Sequence, residues 1–197
     1  MEQEFQTPSP EVEVESVSEE GQPKPKRYFR DFFETILLAA ALFVLINFVS
    51  ARIRVDGSSM VPTLQNGEFV FVNRLSYKFS AVQHGDVVVL ERFNEDYIKR
   101  VIGLPGDHVR IFRGRVYVNE KQVNEPYIAA APNYNGEWEL GEEEMFVLGD
   151  NRNRSEDSHN WGPISLDSVI GKAIFVYWPI TDWGTIRSYE IVNAVSP

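Results

Sequence analysis

Seventeen consecutive residues, Thr35 to Ala51, carry no charge, and Phe32 and Phe33 extend the run upstream with Glu34 as its one acidic interruption. At 1.5 Å per residue, seventeen helical residues span about 25 Å and twenty about 30 Å, the hydrocarbon thickness of a bilayer. The run predicts a transmembrane anchor over residues 32–51, which divides the chain into two sides. A buried core helix and a cleaved signal peptide are the alternatives. Val49-Ser50-Ala51 would suit a small-residue cleavage rule, but the apolar stretch exceeds the roughly 7–15 residues of a signal-peptide core and no helix breaker precedes the site. An uncleaved anchor is the expectation.

The flanks orient the anchor. Residues 1–23 hold seven glutamates and no basic residue, among Pro, Ser and Gln, a composition that predicts a disordered acidic tail. Lys24, Lys26, Arg27 and Arg30 follow it, against Arg52 and Arg54 just beyond the run. The positive-inside rule therefore places residues 1–31 in the cytoplasm and residues 52–197 outside a single-pass plasma-membrane protein.

Composition removes several chemistries. A net charge of −10 opposes binding to a phosphate backbone, so nucleic acid is not an expected partner. The absence of cysteine excludes a thiol nucleophile, a thiolate metal site and a disulfide framework. His84, His108 and His159 lie far apart, and neither HExxH nor GxxxxGK[ST] occurs, so no metal or cofactor is expected.

Past the anchor the apolar runs are short, alternating or β-branched: FVFV at 69–72, VVVL at 87–90, YIKRVI at 97–102, FVL at 146–148 and AIFVYW at 173–178. RIFRGRVYV at 110–118 places a glycine between two alternating segments, as a hairpin requires. The domain is thus expected to be mainly β, with residues 128–144 forming a long loop inside a subdomain inserted at about 107–145.

Three segments carry candidate chemistry. In GSSMVPTL at 57–64, Gly57 permits a tight bend and Pro62 stiffens it, presenting Ser58 and Ser59 on a rigid turn. A hydroxyl needs a base, and Lys99 in YIKRVIGLPGD offers one: on a strand it shares a face with Tyr97 and Val101, where burial would strip water from its ammonium. Bringing a lysine from pKa ~10.4 to the roughly 7–8 useful to a base takes ~4 kcal/mol of differential desolvation. Finally, GDNRNRSEDSHNWG at 149–162 packs short polar side chains directly after a hydrophobic strand, where they can orient a catalytic amine.

In this order, the anchor, GSSMVPTL, GDVVVL at 85–90, YIKRVIGLPGD and GDNRNRSEDSHNWG strongly resemble the type I signal peptidase family. The resemblance implies a signal-peptidase-like (LexA-like) β architecture and a Ser/Lys dyad, with Ser59 as nucleophile, Ser58 its less favoured neighbour, and Lys99 as general base. It assigns Ser155 to hydrogen-bond the lysine amine and Asp157, Asp150 and Arg152 to hold the site together, with Arg100 as partner of Asp150. The implied substrates are secretory preproteins cut after small residues, so Met60, Leu64, Tyr97 and Ile98 are expected to line shallow apolar pockets. Strand edges near Ile53–Asp56 and Asp96–Ile98 are expected to take an extended peptide. Gly57 stands where some members carry an oxyanion-binding hydroxyl, and His159 where an arginine can stand. Three rival readings compete: a Ser59–His159–Asp157 hydrolase, a LexA-like self-cleaving regulator, and a non-catalytic membrane-anchored binding module.

Overall fold

A computed structural model describes residues 25–189; the expected acidic tail over 1–23 lies outside the described residues. The chain divides into two units, with the boundary between Leu42 and Phe43. Helix α1 (Pro25–Val49) runs from the first into the second, and its Tyr28–Val49 stretch is long and apolar enough to cross a membrane, with none of it buried. Two boundaries differ from the sequence expectation. Residues 25–31, assigned to the tail, are already helical, and Ser50 and Ala51, assigned to the anchor, belong to the first strand, where Ala51 pairs with Val72 and is buried in the core.

The second unit is built on antiparallel strands. β1 (Ser50–Arg54), β2 (Phe69–Asn73), β3 (Val87–Arg92) and β4 (Glu95–Gly103) come first, with the short helix α2 (Ser76–Phe79) between β2 and β3. β5 (His108–Phe112), β6 (Arg115–Val118), β7 (Lys121–Gln122) and β8 (Gly136–Glu139) follow. The chain then forms β9 (Glu144–Leu148), α3 (Ser158–Trp161), β10 (Ile164–Ser165), β11 (Val169–Trp178) and β12 (Gly184–Thr185). The larger sheet has the order β1-β2-β11-β3-β4-β9-β10 with β12 on β11, and the smaller has the order β7-β6-β5-β8.

The continuous VVVL run of β3 is explained by burial on both faces. Val87 and Val89 pack with Met60, Leu64 and Val70 on one side, while Val88 and Leu90 pack with Val101, Met145 and Val147 on the other. The RIFRGRVYV segment turns at Arg113-Gly114, both at positive φ, to form the β5–β6 hairpin. The stretch 128–144 is not purely loop: β8 lies inside it and pairs with β5, because Trp138 between two exposed glutamates packs against Phe146. A third core of Ile102, Val109, Ile111, Val116, Phe146 and Leu148 joins the small sheet to the ends of β4 and β9.

Candidate active site

The turn after β1 presents Ser59. Gly57 adopts φ +94°, which favours glycine, and its N–H donates to Asn66 Oδ1 at 2.9 Å. The Leu64 N–H then donates to the Met60 carbonyl at 2.9 Å, closing one helix-like turn. That geometry puts Met60 and Leu64 on the same inward side, and both are fully buried in the core beneath the turn. Neither lines the cleft, which corrects the pocket assignment made from sequence for these two residues.

Lys99 sits mid-way along β4, opposite Val88 of β3, with 2% of its surface exposed. Its Nζ lies 2.9 Å from Ser59 Oγ and 3.0 Å from the carbonyl oxygen of Ile98, and the Tyr97 ring centre is 5.5 Å away. Among the described residues no carboxylate comes within ion-pair distance of it. Burial lowers its pKa from 10.5 to about 8, against the opposing pull of the Asp157, Glu156 and Asp150 carboxylates. An amine poised there can take a proton from the adjacent hydroxyl near neutrality.

Behind the dyad the polar segment is knitted into the turn. Asp150 accepts from Arg100 Nε at 2.8 Å and Nη2 at 2.7 Å, both side chains wholly buried, and also from the Thr63 hydroxyl at 2.5 Å. Asn151 clamps the nucleophile loop: its N–H donates to the Ser59 carbonyl at 2.9 Å and its side-chain amide to the Ser58 carbonyl at 3.0 Å. Asp157 accepts from the Gly149 N–H at 2.8 Å and pairs with His159 Nδ1 at 2.6 Å. Arg152 donates to the Gly149 carbonyl at 3.1 Å and forms an ion pair with Glu125 at 2.5 Å. Gly149 itself has no room for a side chain, since a Cβ would sit 2.2 Å from Ser155 Oγ and 2.5 Å from the Ser59 carbonyl oxygen.

Ser155 departs from the expectation. Among the described residues its hydroxyl, buried against Gly149, makes no hydrogen bond, and the amine of Lys99 bonds instead to Ser59 and the Ile98 carbonyl. Thr63, Asn151, Glu125 and Tyr127 are parts of the network that sequence reasoning did not single out. Glu125 and Tyr127 stand before an aperiodic stretch; Glu125 pairs with the buried guanidinium of Arg152, and the Tyr127 ring lies against Arg100 and Arg152.

A cleft of about 530 Å³ opens on Ser59 and Lys99. Ile53 to Ser58 form one wall, Glu95 to Ile98 the other, and Arg154 and Glu156 stand at its rim, so Tyr97 and Ile98 do line it. Both walls are strand edges. Among the described residues β1 pairs only with β2, and the 95–99 portion of β4 pairs only with β3, because pairing with β9 begins at Arg100. The hydrogen bonds of His159 go to Asp157, its ring stacks on Tyr134 with centres 4.0 Å apart, and none reaches Ser59, which removes the geometry a Ser-His-Asp triad needs. Among the described residues no group of three His, Cys, Asp or Glu side chains is placed to hold a metal ion.

The model of the family described as "Signal peptidase, peptidase S26" matches residues 29–178. The chain belongs to this family. The protein named "Probable signal peptidase I-2" of Synechocystis sp. is 36% identical over 183 residues, covering 88% of this chain and 84% of that one. Signal peptidase I of Bacillus amyloliquefaciens is 38% identical over 178 residues, covering 84% and 96%. Family membership makes the chain a serine peptidase that removes signal peptides. The match runs from Phe29 in α1 to the last residue of β11, so it takes in most of the apolar helix, both cleft walls and the polar segment through Glu156 and Asp157.

Proposed function

We propose that Ser59 is the nucleophile and Lys99 the general base of this signal peptidase. The observation that carries the reading is a buried amine, free of any carboxylate, 2.9 Å from a serine hydroxyl at the floor of a cleft between two open strand edges. Neutral Lys99 removes the Ser59 proton as Oγ adds to the scissile carbonyl, and the resulting ammonium returns that proton to the departing amine. A water, deprotonated by the same amine, then hydrolyses the acyl-enzyme ester and releases Ser59. The Ser59 N–H has no partner within the chain among the described residues and can donate to the tetrahedral oxyanion, with the exposed Ser58 hydroxyl as a second donor.

The supporting residues position the pair without touching substrate. Arg100 and Asp150 fix Thr63 and hence the turn; Arg152 and Asp157 fix Gly149 and the Ser155 segment. The peptide before the cut lies extended between Ile53–Asp56 and Asp96–Ile98, adding main-chain hydrogen bonds to both edges, and Tyr97 and Ile98 favour small side chains by limiting depth. Tyr28–Val49 spans the bilayer, the basic segment before it stays cytoplasmic, and the cleft acts on preproteins on the far side.

Incubating a model preprotein with the wild type, Ser59→Ala, Lys99→Ala and His159→Ala variants tests the assignment. The first two substitutions are expected to abolish release of the mature protein with the fold intact by circular dichroism, while His159→Ala retains substantial activity. A Lys99→Ala enzyme that still cleaves, or a His159→Ala enzyme that does not, overturns it.

A further inference from the structure

A second cavity, which shares no lining residue with the cleft at the dyad, lies where α1 gives way to the sheet. It measures about 370 Å³ and is walled by Phe48, Leu75, Tyr77, Val169 and Ile170, with Arg74 and Lys78 at its mouth. Arg74 is level with the end of the apolar helix, since its N–H donates to the Val49 carbonyl at 3.0 Å. Lys78 stands with its Nζ 5.7 Å from the centre of the Phe48 ring, and next to it Phe79 is 86% exposed.

The charges here are unusual for this chain. Its net charge is −10, yet the cavity is lined by two cations and no acid. The arginine and lysine ion pairs of the second unit are made by Arg100, Arg110, Arg152 and Lys172; among the described residues Arg74 and Lys78 make none. Two unpaired cations over an apolar notch, beside exposed phenylalanines and at the end of a membrane-length helix, match a ligand with an anionic head and a hydrocarbon body.

We propose that this notch binds an anionic phospholipid of the surrounding bilayer, its phosphate between Arg74 and Lys78 and an acyl chain against Phe48, Leu75 and Ile170. The proposal rests on the reading of Tyr28–Val49 as a membrane span, which sets the notch at headgroup depth. Bound lipid would give the chain a second hold on the membrane surface, through Arg74 and Lys78 at the foot of the span.

Native mass spectrometry of the full chain in neutral detergent, supplied with equal phosphatidylglycerol and phosphatidylcholine, tests it. At about fivefold per cation, the wild type is expected to retain phosphatidylglycerol about 30-fold over phosphatidylcholine, and Arg74→Gln/Lys78→Gln to retain the two equally. Should the double variant be misfolded by circular dichroism, Lys78→Gln alone is expected to lose about fivefold. Equal retention by the wild type, or undiminished preference in a folded variant, overturns the proposal. So does displacement of the lipid by glycerol phosphate at matched concentration, which would mark a headgroup site indifferent to the bilayer. Flotation with phosphatidylcholine vesicles reads the anchor separately: failure of the full chain to float refutes the span, whereas flotation without lipid preference refutes the notch alone.

Discussion

Two neighbouring residues of β4 carry basic side chains into the interior and are treated in opposite ways. Arg100 is completely buried and has a counter-ion: two bonds to Asp150, two more to the carbonyls of Gly85 and Arg187 at 2.8 and 3.0 Å, and the rings of Tyr127 and Tyr189 centred 4.1 and 5.3 Å from its guanidinium carbon. Lys99 is nearly as deep but receives one hydroxyl and one carbonyl, with no carboxylate in contact. Strand alternation sends the two in opposite directions, Arg100 toward the polar clamp and Lys99 toward the nucleophile. Depth alone therefore does not make a base. Withholding a counter-ion from Lys99 while giving one to Arg100 leaves the first ready to lose a proton and the second unable to.

The sharpest way to break that contrast is to put an arginine at both positions. Lys99→Arg keeps the charge and much of the volume, but a guanidinium does not deprotonate at accessible pH. Preprotein cleavage is expected to fall by ~10⁴-fold or more, as it does on removal of a nucleophile's base. Substantial turnover at neutral pH by this variant would show that a cation suffices at residue 99.

Removing the counter-ion from Arg100 comes next. Asp150→Ala leaves a buried guanidinium short of its partner and is expected to cost about 3–5 kcal/mol in urea unfolding. Adding Arg100→Met should restore much of the loss, because an apolar pair replaces an orphaned charge. Activity is not expected to return with stability, since Thr63 loses its acceptor in both variants and the turn carrying Ser59 is no longer tied down.

These residues were readable in the sequence to very different degrees. The face of β4 that holds Lys99 followed from alternation with Tyr97 and Val101, and the motif order supplied its partner Ser59. Met60 and Leu64 were misplaced because a Ser-Pro turn does not announce which side packs inward; the bond from the Leu64 N–H to the Met60 carbonyl decides it, and no pattern of residue types specifies that bond. Ser155 is expected on the lysine, but a hydroxyl has three rotamers, and the one adopted turns it toward Gly149 rather than toward the amine. Glu125 and Tyr127 left no local signal at all. Their position is set by long-range contacts, of Glu125 with Arg152 and of Tyr127 with Arg100, Arg152 and Tyr189, which periodicity does not encode. β8 was hidden for a similar reason, since four residues paired on one side give too short an alternation to stand out.

Stability offers a finer cut. Below pH 8 the folded chain keeps the Lys99 ammonium charged in a buried site, a cost of roughly 3 kcal/mol if its pKa falls from 10.5 to about 8. The unfolded chain binds the extra proton between those two values, so stability attributable to this group rises with pH from about 8 to 10.5, and the cost is fully present below that window. Lys99→Met should therefore be more stable than the wild type at pH 7, by ~1–3 kcal/mol in urea unfolding, and the advantage should shrink as pH approaches 10.5. An Arg100→Met variant, losing a well-paired charge and stranding Asp150, should show the reverse sign at pH 7.

The smallest effect is on rate, and it isolates the protonation state from everything else. If the neutral amine is the active form, about 9% of it is present at pH 7 and half at pH 8, so kcat/KM for a model preprotein should climb about fivefold over that unit and level off above it. The limb belongs to the free enzyme, where Lys99 still feels the opposing fields of Asp157, Glu156 and Asp150. Glu156→Gln removes one of these from the cleft rim without touching the dyad. It should slide the limb to lower pH by a few tenths of a unit, the small size reflecting a solvent-screened carboxylate. A limb unmoved by Glu156→Gln but lost in His159→Ala would place the titrating group on the imidazole and erase the distinction between the two cations of β4.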